Sequence, residues 1–145
     1  MRRNLLLAIQ AFVGLTAVAG GVLLAAAPDG QLLAADPAAL EGTPFTDYRV
    51  PGVLLALLVG GGGLVAAVLT ARKAPYARAG ALLYATGVVA FVGVECSLIG
   101  WQPLQGVIGT LGLAMLMLAL TSRRSGGAGQ PRTRGHGARP HPAWR

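Results

Sequence analysis

Four long apolar runs, Leu5–Ala26, Pro51–Ala71, Ala79–Gly100 and Leu104–Thr121, leave this chain few folds to choose from. A bilayer core takes about 20 helical residues, with a working range of roughly 17–25, and all four runs meet it, the last being the shortest. Only one charged side chain, Glu95, lies inside any of them. Backbone amides in lipid must be satisfied within the segment, so each run should be helical; the period-two alternation of a membrane barrel is missing. Of the 145 residues, 54% are hydrophobic and 12% charged. Soluble domains carry about 25% charged residues, which excludes an ordinary soluble globular protein. The sequence thus predicts an all-α, four-helix transmembrane bundle over residues 1–121.

Orientation is read from the basic residues. If the spans alternate, one side of the membrane receives Arg2, Arg3, Arg72, Lys73, Arg78 and the six arginines after the fourth span (Arg123, Arg124, Arg132, Arg134, Arg139 and Arg145). The other side receives only Arg49, together with Asp29, Asp36, Glu41 and Asp47. Cytoplasmic loops carry the excess of Lys and Arg, so both termini are expected in the cytoplasm. A rival reading takes Arg2-Arg3, the first apolar core and Ala25-Ala26-Ala27 as a signal peptide with a small-residue cleavage site. The run is longer than the ~7–15 residues of a signal core, which favours an uncleaved first helix.

Between the first two spans, Pro28-Asp29-Gly30 predicts a turn that ends the first helix. Asp36-Pro37 has the form of an N-cap followed by proline at the first helical position, predicting a short helix through about Glu41. Leu32, Leu33 and Leu40 would lay this segment along the membrane surface, and Phe45 and Tyr48 fit an interfacial aromatic belt. The link 72–78 contains Pro75 and is short, so spans two and three should be antiparallel neighbours. Trp101-Gln102-Pro103 is tighter still and should close spans three and four into a hairpin. Residues 122–145 are rich in Gly, Pro and Arg and nearly free of apolar side chains, predicting a disordered basic cytoplasmic tail.

Glu95 is the sharpest residue for chemistry, because an ionisable group within a span is a functional hypothesis by default. Gly100 ends its span five residues on, about 7 Å at the helical rise, so Glu95 should sit in the outer third. Arg49, the only basic residue on that side, and Gln105, opening the antiparallel fourth span, are the expected partners in a buried polar cluster of Glu95, Arg49 and Gln105. The alternative is a proton- or cation-coupling carboxylate. Cys96 is adjacent but about 100° around the helix, and a single buried cysteine is ordinarily an inert small hydrophobe. Gly60, Gly61, Gly62 and Gly63, at the middle of the second span, predict close helix packing of the small-xxx-small kind. Ala17 and Gly21 in the first span, and Gly106, Gly109 and Gly112 in the fourth, offer matching thin surfaces. The alternative there is a helix broken at a substrate site, as in transporters.

No span contains histidine, and His136 and His141 lie in the tail without other ligand types nearby. No metal site, cofactor or catalytic set is therefore expected. The expected partners are the lipid bilayer and, through the glycine faces, a second copy or another membrane protein. Nucleic acid is not expected, since Trp144 is the tail's only aromatic platform.

Thr43-Pro44-Phe45-x-Asp47-Tyr48-x-Val50-Pro51-Gly52 before span two, Glu95 in span three and Gln102-Pro103-Leu104-Gln105 before span four resemble a group of small bacterial four-span integral membrane proteins with no assigned activity. The resemblance covers about Leu5–Thr121 and leaves out the tail. It implies a multi-pass protein of the bacterial inner membrane and carries no catalytic residue with it. Small multidrug transporters are similar in span count, but their essential glutamate lies in the first helix, where this chain has no acid. The functional expectation is a non-enzymatic structural or accessory membrane protein. The alternative is a small transporter or channel subunit using Glu95.

Overall fold

The computed structural model describes residues 1–101 and 103–122. These form four long helices: α1 (Arg2–Ala26), α2 (Arg49–Ala71), α3 (Ala77–Ile99) and α4 (Pro103–Thr121). All four are long and apolar enough to cross a membrane, and no strand occurs among the described residues. Each helix starts one to three residues before its apolar run, because helical hydrogen bonding continues past the last lipid-facing residue; Leu5 N–H, for example, donates to Met1 C=O at 3.1 Å. Beyond Ser122, the expected disordered tail lies outside the described residues.

The helices run up-down-up-down, each packing on its neighbours in sequence, and α4 closes the ring against α1. Short links enforce this order. Between α2 and α3, Lys73 N–H donates to Thr70 C=O and Ala74 N–H to Leu69 C=O, a Schellman-type stop with Lys73 at φ +51°. Gly100, at φ +77°, ends α3 where a side chain would be strained. Leu6, Val13, Ala17, Val59, Ala66, Tyr84, Ala85, Val88, Met115 and Ala119 meet in the centre. Outward-facing Phe12, Leu15, Leu57, Leu58, Leu83 and Met117 are all more than half exposed. A bundle wrapped in large apolar side chains has lipid as its natural solvent, since water would penalise that surface.

The connection between α1 and α2 matches the expected turn chemistry. The Asp36 carboxylate accepts from Ala38 N–H at 2.9 Å and starts the 3-10 turn Pro37–Leu40. Asp29 Oδ1 accepts from Gln31 N–H, and Gly30 takes φ +79°. Leu32 and Leu33 are exposed as expected, whereas Leu40 is buried. Tyr48 departs from the interfacial belt predicted for it. It is buried, with its hydroxyl donating to Asp36 C=O at 2.6 Å and its N–H to Pro28 C=O at 2.9 Å. A phenol with a backbone acceptor close by is better satisfied inside the loop than at a lipid headgroup.

The second departure lies within α2. Leu55–Gly61 is π-helical, flanked by α-helix on both sides. The glycine run begins inside this segment and continues beyond it. Such segments accommodate an extra residue in the helical register and are common at functional sites.

Candidate functional site

Two places carry the residues singled out from sequence: the glycine seam in mid-bundle and the polar cluster at the loop end. The seam is built by α1, α2 and α3. A Cβ on Gly60 would stand 2.8 Å from Val18 N, and one on Gly63 would stand 2.8 Å from Gly14 Cα and 2.5 Å from the Tyr84 hydroxyl oxygen. Gly14 in turn faces Gly60 and Gly63, and Gly21 faces Gly52 and Ala56. The backbones of α1 and α2 therefore touch along a stripe with no side chain between them, the geometry that small residues permit in membrane helices. Gly62 faces the Tyr84 ring, 3.3 Å from where its Cβ would stand, and Gly61 meets nothing closer than its own helix. In the fourth span, Gly112 packs on Val88 and Val89 of α3. The four consecutive glycines thus have three different environments.

Tyr84 is buried at this seam and donates to Val59 C=O at 3.0 Å. Sequence reasoning passed over it. The available signal was a lone tyrosine five residues inside an apolar run, whose hydroxyl needs a partner.

At the loop end, Cys96 and Gln105 are brought together. The thiol donates to Gln105 Oε1 at 3.0 Å, tying α3 to α4. Glu95 is half-buried on α3, and Arg49 is exposed at the start of α2. No ion pair joins these two among the described residues. The helical offset explains the contact: Gln105 opens α4 facing the side of α3 that carries Cys96, about 100° around from Glu95. An S–H donor is weak, but beside a buried amide it satisfies an acceptor that lipid would leave bare.

Two further polar groups are deeply buried. Gln10, on α1, is fully buried, and neither its amide oxygen nor its amide nitrogen has a hydrogen-bond partner among the described residues. Thr70, near the end of α2, is 4% exposed and its hydroxyl is likewise unpartnered. Gln10 had a signal in the sequence, since Gln10 and Gln105 are the only amide side chains within the four apolar runs. Thr70 had none, because helical threonines ordinarily bond back to their own backbone, as Thr16 does to Phe12 C=O and Thr110 to Gly106 C=O.

Comparison of the chain with protein-family models, with curated proteins and with solved structures returned no match. The functional reading accordingly rests on the residues of this chain.

Proposed function

We propose that this four-helix membrane protein is a non-enzymatic structural or accessory component of a bacterial inner membrane, with both termini in the cytoplasm. The observation that carries the reading is the separation of charge between the two ends of the bundle. Arg2, Arg3, Arg72, Lys73 and Arg78 gather at the end holding the N-terminus and the link between α2 and α3; Asp29, Asp36, Glu41 and Asp47 gather at the other. The membrane potential and anionic inner-leaflet lipid both favour the basic end inside. The direct backbone contact of α1 and α2 supports a packing role for the glycines in place of a broken substrate helix.

Half-buried Glu95, with no ion pair among the described residues, favours one second reading, a small transporter or channel subunit. Reconstituted liposomes separate the two. The accessory reading expects no proton or cation flux above protein-free vesicles. Flux that is abolished by Glu95→Gln in a normally folded variant replaces it with the second reading. A reporter active only outside the cytoplasm tests orientation separately: it should be silent when fused after Arg145 and active when inserted within residues 32–41.

A further inference from the structure

A cavity of about 1080 Å³ opens at the end of the bundle that holds the N-terminus and the C-terminal end of α4. Arg2, Arg3, Thr70, Lys73 and Arg78 line it, and no Asp or Glu does. The five acidic residues of the chain are Asp29, Asp36, Glu41, Asp47 and Glu95, none of which contributes to its wall. Four cationic side chains thus share one basin with no neutralising partner among the described residues. Cations gathered at one mouth without acids raise the local concentration of anions.

The backbone has the same polarity. α1 and α3 both begin at this cavity, through Arg2, Arg3, Ala77 and Arg78. Neither helix start has a side-chain cap or an acidic residue in its first turn, so free N–H groups and the positive dipole ends remain available. Arg78 Nε and Nη2 donate to Ala119 and Leu120 C=O at 3.2 Å, and Arg2 reaches Thr121 C=O at 3.5 Å. The C-terminal carbonyls of α4 thereby hold these two guanidiniums across the cavity, and each keeps further donors free. The side chains of Arg3 and Lys73 form no hydrogen bond or ion pair among the described residues.

Thr70 is the second, independent observation. Thr70 belongs to the cavity wall, is 4% exposed, and has an unpartnered hydroxyl. Three residues later Lys73 occupies a left-handed position, φ +51°, that glycine normally takes at a helix stop.

We propose that this cavity is a binding site for a phosphate-bearing anion, either an anionic phospholipid headgroup or free phosphate, with Arg3 and Lys73 as charge partners and Thr70 as a hydroxyl donor. The proposal rests on the four-helix architecture and is independent of the accessory role and of the orientation across the membrane.

The test uses the full chain purified in a neutral detergent, with thermal unfolding followed against three probes: dioleoylphosphatidylglycerol, dioleoylphosphatidylcholine and inorganic phosphate, at constant ionic strength. Phosphatidylglycerol or phosphate should raise the Tm, and phosphatidylcholine should not. Stabilisation by phosphatidylglycerol alone identifies the lipid headgroup as the source; stabilisation by both shows that phosphate suffices. The double variant Arg3→Gln/Lys73→Gly should weaken the apparent affinity about tenfold or more, the loss expected for charge-assisted contacts. Its ligand-free Tm should not fall, since Lys73→Gly relieves backbone strain. Thr70→Val, which removes an unsatisfied buried hydroxyl, should fold at least as well as the parent and bind about threefold more weakly or worse. No stabilisation by either phosphate source overturns the proposal, and so does binding that is indifferent to these variants.

Discussion

The hydroxyl of Tyr84 in α3 donates to the backbone carbonyl of Val59 in α2 at 3.0 Å, within the π-helical segment of α2. The altered register of that segment leaves backbone acceptors directed off the helix axis, and here a side chain from the next helix takes one up. Gly62 and Gly63 make the approach possible, since a Cβ at either position would meet the tyrosine ring or its hydroxyl. Gly60 and Gly63 also admit α1. One short glycine run therefore lets α2 meet the backbone of α1 and the Tyr84 side chain of α3.

Removing this hydroxyl should loosen the bundle without emptying it. Tyr84→Phe keeps the ring and deletes the donor, and interhelical hydrogen bonds in membrane proteins contribute about 0.5–1.5 kcal/mol. Reversible unfolding in mixed micelles should show a loss of that size. Stability equal to the parent would mean that the bond contributes nothing.

Substitution by alanine along the glycine run should separate its members. Gly60→Ala and Gly63→Ala force a methyl against backbone atoms of α1 and should each lose about 1–3 kcal/mol by overpacking. Gly62→Ala requires only a small shift of the Tyr84 ring and should be milder. Gly61→Ala meets open space and should stay within about 0.5 kcal/mol of the parent, with a helix-propensity gain of that order available. Uniform effects at all four positions would sink the assignment of Gly60 and Gly63 to the α1 contact.

The two polar pairings at the loop end make opposite forecasts in double-mutant cycles. Cys96 and Gln105 are in contact, so Cys96→Ala and Gln105→Ala should couple by about 0.5 kcal/mol or more. Arg49 and Glu95 form no ion pair among the described residues, so Arg49→Ala and Glu95→Ala should add within about 0.5 kcal/mol. Strong coupling of Arg49 with Glu95, measured by the same unfolding assay, would place them in one cluster after all.

Length and hydropathy made the spans legible, because lipid allows a 20-residue apolar run almost no conformation except a helix. The Asp36-Pro37 turn was legible for the same kind of reason: the stop-and-start chemistry is local. Tyr84 and Tyr48 were harder, since the acceptors of their hydroxyls are backbone carbonyls, 25 residues away in the first case and 12 in the second, that carry no sequence signature. The π-helical register of Leu55–Gly61 was hidden for a related reason. Glycine relaxes the backbone in any direction, and the choice is made by α1 and α3 packing from either side. At the loop end, composition pointed to Glu95 as the residue in need of a partner, but the rotation of α3 gave Gln105 to Cys96.

Alkaline pH should act on the loop between α1 and α2 through Tyr48. Burial, and secondarily the nearby Asp36 carboxylate, push its phenol above the ordinary value near 10. The native loop therefore holds the phenolic proton more tightly than the unfolded chain does, and the hydroxyl needs that proton to donate to Asp36 C=O. The resulting stabilisation is fully present below the unfolded-state pKa, declines as pH rises above about 10, and is lost as pH passes the native value. Tyr48→Phe removes both the hydrogen bond and its titration. The parent should be more stable than Tyr48→Phe at pH 8, by about 0.5–1.5 kcal/mol, and the gap should narrow towards pH 11. Thermal unfolding of both proteins across this range gives the comparison directly. A gap that stays constant or widens with pH would show that the Tyr48 hydroxyl does not hold the loop in its protonated form.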